Sequence, residues 1–215
     1  NKKVLITAGP TYEPVDPVRY IGNHSSGKMG YAIAEKFALQ GAEVTLVSGP
    51  TSQIAGSKGI ELVSVTTAQE MYEASEMRID EMDIAVFAAA VADYTPETVY
   101  DQKVKRGKED RVIRLKPTRD IAASLGKSKK ENQWFVGFAL ETSDGEVNAK
   151  SKLNRKNLDM IVLNTLEDEG AGFGKDTNKI SIIDKFGNID KFDLKQKDEV
   201  AEDIVNEIIK RRRHA

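Results

Sequence analysis

Val4-Leu5-Ile6-Thr7, followed by Ala8-Gly9-Pro10-Thr11, is the stretch that decides the fold of this chain. Its first half is an apolar run of strand length, and the small residues and the proline of its second half end that run. Short apolar runs bounded by turn residues are typical of strands buried in a parallel sheet. Similar runs return at 44–47, 62–65, 84–89, 134–139 and 160–163.

Helical patterns separate several of these runs. Between positions 30 and 40, for example, Ile33, Phe37 and Leu39 recur at helix-like spacing. Alternating strands and helices predict an α/β fold with a Rossmann-like, mostly parallel sheet that carries helices on both faces.

Other segments predict a small antiparallel β extension. Residues 112–115 alternate like a half-buried strand, and the runs 179–184 and 189–194 flank a hairpin signal at 185–188. Residues 200–209 close the pattern as an amphipathic helix. Antiparallel edges on a parallel core often pair between subunits, which indicates a homodimer. Because no internal repeat or linker is evident, we predict a single domain over 1–215.

Composition excludes several classes of function. The 215 residues hold 32 Lys and Arg against 34 Asp and Glu, for a net charge of −2, which argues against nucleic-acid or membrane attraction. Without cysteine there is no disulfide, thiol nucleophile or Cys-zinc site, and His24 and His214 are too few for a His-based metal cage. No apolar run approaches the roughly 20 residues that span a bilayer, so we expect a cytoplasmic protein. Asn1 in place of a first Met suggests a domain cut from a longer chain.

The first candidate binding segment follows the first strand. The next helix is predicted to begin only at about Ser26, and ligands of open α/β sheets bind beyond the carboxyl ends of the strands, where this loop must lie. Its last part, Asn23-His24-Ser25-Ser26-Gly27-Lys28-Met29-Gly30, has small residues that let backbone N–H groups approach an anion at a helix N-terminus. An ordinary helix start with Ser25 or Ser26 as N-cap explains the segment equally well.

Three familiar nucleotide-binding patterns do not fit. A dinucleotide fingerprint needs G-x-G-x-x-G directly after the first strand and an acidic residue after the second, but Ser48-Gly49-Pro50 stands there. Residues 22–28 match G-x-x-x-x-G-K of a Walker A loop, yet Met29 occupies the place of the magnesium-binding hydroxyl. None of the six tyrosines has the lysine four residues later that a short-chain reductase is expected to carry.

A long charged segment interrupts the alternation at 95–111. It contains Pro96, Gly107 and several basic residues, with no apolar period. Loops of this length in compact domains are usually functional lids or disordered segments. We therefore predict a flexible lid over about 95–111.

Taken in order, the motifs resemble those of one family. They are Ile6-Thr7-Ala8-Gly9-Pro10-Thr11, Asp16-Pro17-Val18-Arg19-Tyr20-Ile21, the segment 23–30 quoted above, Ala89-Ala90-Val91-Ala92-Asp93-Tyr94, Lys103-Val104-Lys105-Arg106, Gly137-Phe138-Ala139-Leu140-Glu141-Thr142 and Lys152-Leu153-Asn154-Arg155-Lys156-Asn157-Leu158. The chain closely resembles bacterial phosphopantothenoylcysteine synthetases, the C-terminal half of the bifunctional coenzyme A biosynthesis flavoprotein. The resemblance covers nearly the whole chain.

The resemblance implies a ligase reaction in two steps. CTP activates the carboxylate of 4′-phosphopantothenate as an acyl-cytidylate and releases pyrophosphate; the amine of L-cysteine then displaces CMP. It also implies magnesium as cofactor, a homodimer, and natural fusion to a phosphopantothenoylcysteine decarboxylase domain. Because the flavin-binding decarboxylase half is absent here, no FMN is expected. Such chemistry needs charge neutralisation around a triphosphate rather than a protein nucleophile, so the composition is compatible with it.

The resemblance also assigns roles to residues. Asn23 and Lys103 are expected to be catalytic, Arg19 and Asn23 to bind the substrate, and Asp93 to bind the metal. The expected nucleotide-binding residues are Ser25, Gly27, Phe87, Ala88, Ala89, Asp93, Lys103, Thr118, Arg119, Asp120, Ile121, Phe138, Lys152 and Lys156. The chain departs from the family at 118–121, where Thr-Arg-Asp-Ile replaces the common Asn-Pro-Asp-Ile.

The residues alone leave plainer interpretations open. Asn23 and Asp93 could be turn or capping residues, and Arg19 could serve a structural salt bridge. Lys152 and Lys156, four apart on one helix face, could be solvated rather than bound to a triphosphate. Two rival functions also remain at this point: a homologue of the same ligase that uses ATP, and a nucleotide-binding module that has lost catalysis. The presence of both Asn23 and Lys103 argues against the second.

Overall fold

The computed structural model describes residues 1–107, 110–141, 144–165 and 176–213. Its helices are α1 (Lys28–Leu39), α2 (Ala68–Ile79), α3 (Ile121–Gly126), α4 (Gly145–Arg155) and α5 (Lys197–Arg213). Its strands are β1 (Lys3–Ala8), β2 (Tyr12–Pro14), β3 (Tyr20–Gly22), β4 (Glu43–Ser48), β5 (Ile60–Ser64), β6 (Ile84–Phe87), β7 (Tyr94–Pro96), β8 (Leu115–Pro117), β9 (Trp134–Glu141), β10 (Met160–Thr165), β11 (Thr177–Asn178), β12 (Ile180–Asp184), β13 (Ile189–Lys191) and β14 (Lys195–Gln196).

Eight strands form the main sheet in the order β13-β12-β10-β9-β6-β1-β4-β5. The six strands from β10 to β5 are all parallel, and in chain order they are arranged 3-2-1-4-5-6. This is the doubly wound order of Rossmann folds, so the predicted fold class is confirmed. The strand order reverses between β1 and β6, and the crevice at their carboxyl ends is where such folds bind ligands.

Strand β1 shows why helices cover both faces. Val4, Ile6 and Ala8 are fully buried in the hydrophobic cluster that α1 and α5 share with the sheet. Leu5, which points to the opposite face, is fully buried in a second cluster with α2, α3 and α4. Successive side chains of a strand alternate between faces, so a strand that is apolar throughout needs cover on both sides.

The antiparallel extension is confirmed at one edge of the sheet. β12 runs antiparallel to β10 and forms a hairpin with β13, as the turn at 185–188 predicts. Gly187 adopts a φ of 91° in this turn, a left-handed conformation that glycine accepts without steric cost. The final helix is also confirmed, although α5 is longer than its apolar period indicates.

The strand predicted at 112–115 is wrong. The structure begins β8 only at Leu115 and pairs it with β7 in a separate two-stranded arm outside the main sheet. Val112 is 86% exposed and lies before β8, so the alternation at 112–115 does not mark a half-buried strand. The run at 84–89 is also shorter than predicted, since β6 ends at Phe87.

Within the described ranges, no helix is long and apolar enough to cross a membrane. Positions 108 and 109 of the predicted lid lie outside the described residues, as does His214.

Candidate active site

A cavity of about 460 Å³ lies at the carboxyl ends of β1, β6, β9 and β10. The structure brings most of the predicted site residues to its wall, although they come from distant parts of the chain. These residues are Asn23, Ser25, Gly27, Phe87, Ala88, Ala89, Asp93, Thr118, Arg119, Asp120, Ile121, Phe138, Lys152 and Lys156.

The start of α1 forms one side of the cavity. Gly27 is its N-cap with a φ of 76°, and no side chain caps the helix, so the predicted alternative of Ser25 or Ser26 as N-cap is wrong. Ser25 instead accepts a hydrogen bond from the Gly27 N–H. A Cβ atom on Gly30 would lie 2.5 Å from the Cβ of Ala8, so glycine is needed there for α1 to pack against β1. An N-terminus without a side-chain cap has backbone N–H groups available to an anion.

Asn23 joins the two loops that border the strand-order reversal. Its Nδ2 donates to the carbonyl oxygens of Ala90 (3.1 Å) and Val91 (3.0 Å), in the loop after β6. Both amide protons are therefore engaged, and Oδ1 is the atom left for a ligand. If Asn23 acts in catalysis by donating a hydrogen bond to an acyl oxygen of the substrate, at least one of these two bonds has to open.

Each of the two predicted triphosphate lysines already has a carboxylate partner. Lys152 Nζ lies 2.6 Å from Glu141 Oε1, and Lys156 Nζ lies 3.0 Å from Asp120 Oδ2. Asp120 also caps α3 by accepting the Ala123 N–H at 3.0 Å. An anionic ligand must therefore compete with Glu141 and Asp120 for these ammonium groups.

Arg119, the residue that departs from the family pattern, lies on the same side of the cavity. Its guanidinium carbon is 4.1 Å from the ring centroid of Tyr72 on α2, which is cation–π distance. The stacked ring limits where the Arg119 side chain can lie at the rim. Thr118 is also fixed, because its hydroxyl donates to the Ala92 carbonyl oxygen.

Asp93 fits the predicted metal role. Its backbone carbonyl accepts the Thr118 N–H at 2.9 Å, while no hydrogen bond or ion pair joins its exposed carboxylate to another described residue. The described residues contain no cluster of three or more acidic or histidine metal ligands. Magnesium is commonly held by one or two carboxylates together with substrate phosphates, and an exposed carboxylate such as that of Asp93 is a ligand of this type.

Arg19 and Lys103 do not reach the wall of this cavity. The Arg19 guanidinium binds the buried Asp16 carboxylate and donates from Nη2 to the Val104 carbonyl oxygen at 2.9 Å. Asp16 also accepts the Val104 N–H at 3.1 Å, and we call these contacts the Asp16–Val104 tie. The Arg19 guanidinium, helped by backbone N–H groups, holds the pKa of Asp16 well below its usual range. Lys103, next to Val104, is exposed, and Arg19 borders a separate cavity of about 220 Å³.

Sequence reasoning missed three polar residues on the α1 side of the cavity, Asn164, Asn178 and Lys197; Lys28, which lines the same side, belongs to the predicted binding segment 23–30. Asn164 stands one residue past the predicted strand 160–163, and its place at the carboxyl end of a strand could have identified it. The pairing of β11 with β14 brings Asn178 and Lys197 there, and no sequence motif predicts this pairing.

Comparison with known proteins gives a consistent family. The sequence model of the family "DNA/pantothenate metabolism flavoprotein C-terminal domain" matches residues 1–211. A protein named cysteine/cysteine sulfinic acid decarboxylase, from an unknown prokaryotic organism, is 60% identical over 209 residues, which are 97% of this chain and 58% of that protein. The coenzyme A biosynthesis bifunctional protein CoaBC of Bacillus subtilis (strain 168) is 48% identical over 209 residues, 97% of this chain and 51% of that protein.

Among solved structures, the C-terminal domain of a coenzyme A biosynthesis bifunctional protein CoaBC superposes with a TM-score of 0.82 at 41% identity. The match covers 97% of this chain and 94% of that one. The chain thus spans about half the length of the curated relatives it matches, and nearly all of this solved domain.

Proposed function

The chain belongs to the family of DNA/pantothenate metabolism flavoprotein C-terminal domains, and from that premise we propose that it is a phosphopantothenate–cysteine ligase. It would join 4′-phosphopantothenate to L-cysteine at the expense of CTP, through an acyl-cytidylate, and release CMP and pyrophosphate. The observation that carries this proposal is the cavity at the strand-order reversal. It combines the N-terminus of α1, the Asp93 carboxylate and several ammonium groups in one space, and among the described residues neither that N-terminus nor that carboxylate has a side-chain partner.

We assign the ligase step to this chain, and not the decarboxylation in the name of its 60% identical relative. The chain covers little more than half of that relative, whereas it aligns with 94% of the solved C-terminal domain of CoaBC. The cavity also offers what carboxylate activation by a triphosphate requires, namely groups that neutralise phosphate charge as it develops.

In the proposed reaction the α1 N-terminus receives phosphate oxygens through its backbone N–H groups. Lys152 and Lys156 exchange their carboxylate partners for the nucleotide, while Phe138 flanks the base and the small side chains of Ala88 and Ala89 allow close approach. Asn23 orients the acyl group where the loops after β1 and β6 meet. Holding the carboxylate in line with the α-phosphorus then accounts for much of the rate enhancement.

Asp93 would hold the magnesium ion in this proposal. When bound, magnesium neutralises part of the triphosphate charge. A CTP preference over ATP, a catalytic role for Lys103 and a substrate-binding role for Arg19 are parts of the same proposal. Lys103 would have to move to reach the phosphates, which supports the proposed lid; in this structure the Asp16–Val104 tie fixes the adjacent residue.

We further propose that the chain acts as a homodimer, in the cytoplasm, as one domain fused to a decarboxylase, and without nucleic-acid or membrane partners. Support for the dimer comes from apolar side chains exposed on the β7–β8 arm and the chain beside it. Tyr94 is 52% exposed, Ile113 45% and Leu115 43%. Exposed apolar patches commonly mark protein–protein contacts.

A pyrophosphate-release assay tests the proposed function. The protein is incubated with magnesium, phosphopantothenate and each nucleoside triphosphate in turn, first without and then with L-cysteine. We expect pyrophosphate before cysteine is added, fastest with CTP, and CMP after cysteine is added. Faster release with ATP would reject the CTP preference, and release that does not depend on phosphopantothenate would reject the ligase.

A further inference from the structure

The polar residues on the α1 side of the cavity form a distinct part of its wall. Asn164 lies at the end of β10, Asn178 in β11, Lys28 at the start of α1 and Lys197 at the start of α5. We call these four residues the amide–lysine wall. The predicted nucleotide lysines, Lys152 and Lys156, lie across the cavity on and just after α4.

Asn178 has an unusual hydrogen-bonding state. The residue is 2% exposed, and its Nδ2 donates to Asn164 Oδ1 at 3.2 Å. Its own Oδ1 is buried and has no hydrogen-bond partner among the described residues. Buried polar atoms are almost always paired, and an unpaired acceptor in a cavity wall is suited to a ligand that brings a donor. The donation to Asn164 fixes the amide so that Oδ1 remains the free end.

Two lysines, Lys28 and Lys197, line the same cavity as this acceptor. Burial lowers the pKa of the Lys197 ammonium, and the nearby charge of Lys28 lowers it further. Lys28 makes an ion pair with Asp176, whose carboxylate is exposed. The backbone N–H of Lys197 donates to the Asp176 carbonyl at 2.9 Å, which holds this end of α5 against the strand that carries Asn178. Partly desolvated ammonium groups favour an anionic partner.

The wall therefore suits a ligand that meets two demands: an N–H or O–H donor for Asn178 Oδ1, and an anionic group that replaces Asp176 as the partner of Lys28 and contacts the Lys197 ammonium. An α-amino acid carries an amine and a carboxylate on a single carbon and meets both demands. We propose that the amide–lysine wall is the amino-acid subsite, where Asn178 accepts from the amine of L-cysteine and Lys197, with Lys28, binds its carboxylate. This inference rests on the proposed function and deepens it, because it locates the second substrate.

The test compares L-cysteine with cysteamine, which has the same amine and thiol but no carboxylate. Steady-state kcat/KM is measured for both amines with saturating CTP and phosphopantothenate. A charge-assisted hydrogen bond to the carboxylate should make the wild type prefer L-cysteine by on the order of 10- to 100-fold. In Lys197→Met this preference should fall to a few-fold, and Lys197→Arg should retain most of it. Asn178→Leu should raise KM for both amines.

Lys195→Met is the matched control. Lys195 precedes Lys197 by two residues, pairs with Asp203 at 2.7 Å and does not line the cavity. We expect this variant to keep the wild-type preference. Thermal unfolding of each variant identifies any loss of fold. If Lys197→Met is unstable, the two single variants Lys197→Arg and Asn178→Leu still test the subsite.

Two measurements separate this inference from its rivals. If Lys197→Met weakens CTP binding and leaves the preference for L-cysteine unchanged, the wall holds the terminal phosphates and the inference is wrong. Binding of L-cysteine alone, followed by ligand-observed NMR, needs no turnover and so does not depend on the proposed function. Weaker binding to Lys197→Met than to Lys195→Met supports the subsite, and equal binding overturns it.

Discussion

Asn23 is the residue whose role the structure constrains most. Replacing it with alanine removes the polar group at the proposed reaction centre and its two hydrogen bonds to the loop after β6. We expect Asn23→Ala to lose turnover by on the order of a hundredfold or more, the scale of removing an oxyanion donor. CTP affinity, measured by calorimetry, should change little because other groups hold the phosphates. His24→Ala is the control, because His24 is the exposed neighbour of Asn23 and does not line the cavity. Near-normal turnover in Asn23→Ala would show that Asn23 has only a structural role.

Lys103 lies in the charged segment and is the second residue that we expect to be catalytic. If it stabilises the leaving pyrophosphate, Lys103→Met should abolish acyl-cytidylate formation, detected by mass spectrometry, with an unchanged unfolding temperature. Lys105→Met, two residues away in the same exposed segment, should retain activity. Equal activity of the two variants would show that Lys103 is only one of several solvated charges.

At the scale of elements, the Asp16–Val104 tie controls the segment that carries Lys103. Asp16→Asn removes a carboxylate that accepts from Arg19 and from the Val104 N–H, so residues 97–107 should be released. We expect faster trypsin cleavage after Lys103, Lys105 or Arg106 in this variant, and slower cleavage in the wild type when CTP and phosphopantothenate are bound. Glu97→Gln, in the same segment, serves as the control. Cleavage that is equally fast with and without saturating ligands would contradict a lid.

The same tie has a defined pH dependence. The pKa of the Asp16 carboxyl is lower in the folded protein than its ordinary value, mainly because of Arg19. The tie is therefore complete above about pH 4, the ordinary range of Asp, and is lost only as the pH falls through the lower folded value. Between pH 5 and 8 the tie should not titrate.

Elements differ in how far the sequence predicts them. The inner parallel strands were predictable because both faces are covered, so their sequences are largely apolar, as in β1, whereas the edge strand β5 is partly exposed and contains Glu61 and Ser64. Residues 112–115 misled the prediction because their alternation does not correspond to burial: Val112 is 86% exposed, and only Leu115 belongs to a strand. In the site, the residues at strand ends and at the start of α1 could be predicted, because ligands of such folds bind at the carboxyl ends of the strands. The positions of Asn178 and Lys197 could not be predicted, because the antiparallel pairing of β11 with β14 brings these two residues together.

For the whole molecule, the exposed apolar residues of the β7–β8 arm and the chain beside it lead to the dimer prediction. We expect light scattering to give the mass of two chains at micromolar concentration. Ile113→Asp should shift the protein toward monomer, because a buried unpaired charge at an interface is costly. Met77→Asp, at a 75% exposed position on α2, is the matched control and should leave the dimer intact. A wild-type monomer would remove the proposal.

We propose above that this chain performs carboxylate activation followed by amide formation in the cavity at the strand-order reversal. The most direct measurement is product identification by mass spectrometry after incubation with CTP, magnesium, 4′-phosphopantothenate and L-cysteine. We expect phosphopantothenoylcysteine, CMP and pyrophosphate in equal amounts. When L-cysteine is withheld, we expect only the acyl-cytidylate and pyrophosphate. CTP hydrolysis without phosphopantothenate, or the loss of carbon dioxide from cysteine in place of amide formation, would contradict it.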